Sequence, residues 1–144
     1  MNATTKHLLG CVLALMLAHP PAHADIVVVV NPASPIKSMS VQQVSDLYLG
    51  RSRVFPNGEY ALVFDLPRDS VVRERFFLSL TGMVPQQVNA YWSRLMFTGQ
   101  VLPPQPMPDE RTVLQLVRRN PGAIGYVHEN SVDATVRVVL KLKE

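Results

Sequence analysis

The sequence has 144 residues, 47% of them hydrophobic, with a formal net charge of +3 from 14 basic and 11 acidic side chains. That length suits one modest domain rather than two. So mild a charge, with no basic block interleaved with aromatics, argues against a nucleic-acid partner.

Chemistry begins at the N-terminus. Lys6 and His7 precede an unbroken apolar run from Leu8 to Ala18, followed by His19-Pro20-Pro21 and the small-residue triplet Ala22-His23-Ala24. This is the order of a secretory signal peptide over residues 1–24, and the run is too short to cross a bilayer, which takes about 20 residues. Cleavage is expected between Ala24 and Asp25. It removes Lys6 and the single cysteine, Cys11, so residues 25–144 carry no disulfide and no cysteine metal site. A lipoprotein box at Leu8-Leu9-Gly10-Cys11 is the weaker alternative, because it leaves almost no apolar segment ahead of the cysteine.

Ile26 to Val30 is a β-branched run without polar alternation, the pattern of a strand buried on both faces. Asn31-Pro32 ends it. Ser40 and Gln43 form a capping box ahead of Val41, Val44, Leu47 and Tyr48, predicting a helix that closes at Gly50. A turn at Pro56-Asn57-Gly58 leads to a second buried strand from Tyr60 to Phe64, ending at Asp65. Ser70 then caps a helix with Val72, Phe76, Phe77 and Leu80 on one side, closed by Gly82. Pro85 opens a third helix through Val88, Tyr91, Trp92, Leu95 and Met96. The stretch Gly99 to Pro108, with prolines at 103, 104, 106 and 108, reads as an ordered loop that cannot enter a central strand. Asp109 caps a fourth helix to Asn120, and strands are expected at Ala123–Val127 and Thr135–Leu142. The alternation predicts an α/β fold, a three-layer sandwich around a mixed, mostly parallel sheet.

Several of these landmarks occur together in one order: Asn31-Pro32, Leu47-Tyr48-Leu49-Gly50, Pro56-Asn57-Gly58, Asp65, Tyr91-Trp92, Phe97-Thr98-Gly99, Pro103-Pro104 and Gly122-Ala123-Ile124-Gly125-Tyr126-Val127. In this the chain resembles the periplasmic phosphate-binding proteins of ABC transporters, and more narrowly their short, single-lobe relatives. The resemblance implies one lobe of a type II periplasmic binding protein and a periplasmic location. It also implies an anion held at a helix N-terminus by a Ser-Gly-Thr-Arg stretch. The matching positions here are Ser70-Val71-Val72-Arg73, which keep the serine and arginine but not the glycine or the threonine hydroxyl.

The candidate ligand residues are therefore Ser70, Arg68 and Arg73, joined by Asn31 and Ser34, which follow the first strand where open α/β sheets place ligand loops. Asp69 beside them suits a protonated oxyanion or simple capping. Tyr91 and Trp92 read as core, Gly122 and Gly125 as a tight turn, and His128 and Glu129 as exposed loop residues. Ser70, Asp65 and His128 share the residue types of a hydrolytic triad, but Ser70 lacks the Gly-x-Ser-x-Gly elbow. No enzyme, cofactor or metal is expected. Two functions remain open. One is the capture of inorganic phosphate or a related oxyanion, with a homodimer or partner domain as the second wall. The other is a ligand-free module docking on a membrane transporter or sensor kinase.

Overall fold

The computed structural model describes residues 23–143. The expected signal peptide thus lies outside the described residues, apart from His23 and Ala24. Ten segments follow in order: β1 (Ile26–Val30), α1 (Val41–Tyr48), β2 (Leu62–Asp65), α2 (Val71–Thr81), α3 (Pro85–Phe97), β3 (Gln105–Pro106), α4 (Glu110–Arg119), β4 (Ala123–His128), a 3-10 turn (Glu129–Ser131) and β5 (Arg137–Leu142).

Local chemistry sets the helix starts as expected. Ser40 Oγ accepts from Gln43 N while Gln43 Oε1 accepts from Ser40 N, and Asp109 accepts from Thr112 N. Pro85 opens α3, and Gly82 ends α2 at φ +74°, a conformation that favours glycine.

The sheet order is β3-β2-β4-β1-β5. It is mixed: β2 runs parallel to β3 and β4, whereas β1 runs antiparallel to β4 and β5. All five residues of β1 are fully buried between these neighbours, in keeping with the absence of polar alternation. Helices cover both faces. On one, Tyr126 stacks on Phe76 at 3.7 Å between ring centroids, and Tyr48 meets both rings edge-on. On the other, α4 lies against β4 with Val113 and Val117 over Gly125.

The outcome differs from expectation at four places. Gly125 lies inside β4 rather than in a turn; a Cβ there would come within 2.3 Å of Val113 Cγ1, so its role is to let α4 approach. His128 is the last residue of β4, half-buried, with Nδ1 3.1 Å from Glu110 Oε2 and its N–H donating to Glu110 Oε1. The proline-rich stretch contributes β3, but only at the sheet edge, where the missing proline N–H costs no central hydrogen bond. Tyr60 lies outside β2, forming an isolated bridge with Val54.

Candidate functional site

The polar centre of the molecule lies where β2 gives way to α2. Asp65 is buried at the strand end, and both its carboxylate oxygens are engaged: Oδ1 accepts from Tyr126 Oη at 2.5 Å and Leu66 N at 2.8 Å, and Oδ2 accepts from Arg73 Nε at 3.1 Å. Arg73 also donates through Nη1 to Asn89 Oδ1 at 3.3 Å and lies 5.0 Å from the Phe77 ring centroid. Both side chains of the ion pair are less than a tenth exposed, so water does little to screen it. Burial, followed by the charge of Asp65, pushes the Tyr126 phenol well above its ordinary range, and the same two causes raise Tyr48. Both remain neutral hydrogen-bond donors at physiological pH.

Ser70 caps α2 by accepting from Arg73 N at 3.2 Å. The next two N–H groups, of Val71 and Val72, have no intrahelical acceptor, as at any helix start. In front of this corner is a cleft of about 160 Å³. Arg68, Arg73, Asn89 and Asp65 form its polar end; Leu66, Trp92, Met96, Pro103, Pro104 and Pro106 form its apolar wall. Trp92 is 4% exposed, and its Nε1–H is a buried donor without a hydrogen-bond partner among the described residues. Such a donor carries a desolvation cost of about 1–3 kcal/mol until an acceptor reaches it. A second, larger groove of about 380 Å³ runs between β2 and residues 101–105, lined mainly by apolar side chains.

Of the residues singled out from sequence, the structure brings Ser70, Arg68 and Arg73 to one corner. Asn31 and Ser34 are elsewhere. Because β1 is antiparallel to β4 while β2 is parallel to it, Val30 lies level with Ile124, at the end of the sheet where β2 begins, whereas Asp65 and α2 occupy the opposite end. There Asn31 Nδ2 donates to the carbonyls of Val117 and Arg118, both at 2.9 Å, and its Oδ1 accepts from Ala33 N. Ser34 Oγ accepts from Ile36 N. These contacts tie the end of α4 to the loop after β1. Asn31→Ala should therefore cost about 1–3 kcal/mol by leaving the α4 carbonyls unpaired, read as a lower urea midpoint without a change in any ligand response.

Arg73 is the second departure. It was expected as an open anion anchor, but Asp65 neutralises it. Sequence reading missed Asp65, Tyr126, Asn89 and the polar edge of Trp92 as parts of this corner. The usable signal was a carboxylate closing an otherwise apolar strand, since a buried charge requires a partner. Asp69 is exposed beside the cap. Among the described residues no group of three His, Cys, Asp or Glu is placed to hold a metal, and no helix is long and apolar enough to cross a membrane.

No family model matches the chain, and no curated protein matches it by sequence. Its fold is similar to that of an ABC-type phosphate transport receptor from Vibrio cholerae (TM-score 0.64, 20% identity), covering 81% of this chain and 46% of the receptor. It is also similar to a structure from Clostridium perfringens, assigned as a phosphate ABC transporter substrate-binding protein and solved with bound phosphate (TM-score 0.65, 20% identity, 81% and 45% covered). A third match is a possible phosphate binding protein from Planctomyces limnophilus (TM-score 0.59, 19% identity, 81% and 41% covered). The likeness is one of fold, and the chain spans less than half the length of each of these proteins.

Proposed function

We propose that this chain is a periplasmic protein of the solute-binding type that holds phosphate or a related oxyanion, for ABC-type uptake or for sensing, in the cleft at the head of α2. The observation that carries this reading is the cleft that Arg68 and Arg73 share with Trp92, a residue whose buried Nε1–H has no partner among the described residues. Donors outnumber acceptors there, which is the composition of a site awaiting an oxygen ligand. The named neighbours support the same ligand class. An opposite wall, from a second copy or a partner domain, would keep water from screening the anion.

Thermal unfolding during titration with phosphate and sulfate at constant ionic strength tests this. At 100 times its Kd a ligand adds about 2.7 kcal/mol, enough to raise Tm by several degrees in a domain of this size. A saturable rise absent from Arg68→Gln supports the site; no rise with any oxyanion removes it.

A second reading is a ligand-independent adaptor that docks on a membrane transporter or sensor. It is favoured by the apolar groove beside β2, where Tyr60 is 81% and Leu102 86% exposed. Ligand-independent association together with a flat oxyanion titration would move the assignment to this function.

A further inference from the structure

Resting on the oxyanion reading of the cleft, we infer that its ligand is an organic monoanion, a carboxylate bearing a short apolar chain, rather than inorganic phosphate. Charge is the first argument. Among the lining residues Arg68 and Arg73 carry two positive charges and Asp65 one negative charge, and the Asp65–Arg73 pair is closed on itself. One cation, the exposed guanidinium of Arg68, is left to face a ligand. A dianion would bring into a largely apolar cleft a charge that nothing balances, whereas a monoanion is matched.

The walls are the second argument. Beyond the polar end the cleft presents Leu66, Trp92, Met96 and three prolines, a surface that offers nothing to the outer oxygens of a tetrahedral anion. These residues would instead bury carbon. The volume of about 160 Å³ equals that of roughly five waters, room for a carboxylate head with a few methylenes. In this pose the carboxylate pairs with Arg68, and the chain runs along Trp92, Met96 and Pro104. Asp65 stays occupied by Tyr126, Leu66 N and Arg73 and takes no part.

The sequence holds one tryptophan, so its fluorescence reports directly on this wall. The test titrates the protein, expressed from its full coding sequence, with acetate, butyrate and hexanoate, and separately with phosphate, at constant ionic strength. Burying a methylene in the cleft should tighten binding about fourfold, so butyrate should exceed acetate by about sixteenfold. Arg68→Gln, at an exposed position, should abolish binding of the whole series. Met96→Ser should flatten its dependence on chain length. Phosphate binding lost in Arg68→Gln, with no response to the carboxylates, would overturn the monocarboxylate assignment while leaving the oxyanion site standing. A flat response to every anion would overturn both. Carboxylate binding indifferent to Arg68→Gln would also overturn the assignment, because the head would then lie elsewhere.

Discussion

Arg73→Ala should destabilise the protein more than any other single change at the polar corner, by about 3–5 kcal/mol, or a fall in Tm of roughly 10 °C or more. The reason is what it leaves behind. Asp65 would keep two hydrogen bonds, from Tyr126 and Leu66, but lose the cation that pairs with it while less than a tenth exposed. Asn89 would lose its partner, and Phe77 the guanidinium over its face. Replacing both charges, as in Asp65→Leu with Arg73→Met, should cost much less than Arg73→Ala alone, because no unpaired ion is then buried. Differential scanning calorimetry of the wild type and the two variants decides the matter; a loss below 1 kcal/mol in Arg73→Ala would mean that the pair is screened. One practical consequence concerns ligand tests. Arg73 variants confound binding with folding, so Arg68 is the residue to change.

The second large effect is expected at Gly125. Adding one methyl there places it 2.3 Å from Val113 Cγ1, on a helix held against the sheet by Val113, Leu114 and Val117. Val113 is β-branched and has no alternative rotamer of low energy in a helix, so α4 itself must shift. Gly125→Ala should cost about 1–3 kcal/mol, read as a lower urea midpoint at unchanged slope. Val113→Ala removes the obstructing methyl. In the double variant the two costs should fall short of additive by at least 0.5 kcal/mol, the sign of direct contact; strict additivity would show that α4 is not in contact at this glycine.

What could be read from the sequence is what local chemistry decides. The Ser40 and Asp109 caps, Pro85 at a helix start and Gly82 at a helix end involve residues a few positions apart, and the helices they frame are present. Strand direction is not local. Nothing in Ile26–Val30 reveals that its neighbours come from Ala123–His128 and Arg137–Leu142 and run opposite to it, and that direction alone sends Asn31 and Ser34 away from Ser70. Gly125 carried a misleading signal, because a glycine close after Asn120-Pro121-Gly122 suggests a continuing turn while its real constraint is a helix on the far side of the sheet. The Asp65–Arg73 pair was hidden for a similar reason. An arginine among Val72, Arg73, Glu74 and Arg75 looks like part of a solvated helix face until the carboxylate beneath it is located.

The position of β1 has a consequence for how the chain acquires its structure. Ile26 lies opposite His128 and Leu142, so β1 has no partner in the sheet until β4 and β5, some hundred residues later, have been made. Contacts of such long sequence separation impose a large loop-closure penalty before any reward, and they slow folding. Until β4 is made, the nascent chain can assemble local helices but cannot pair β1.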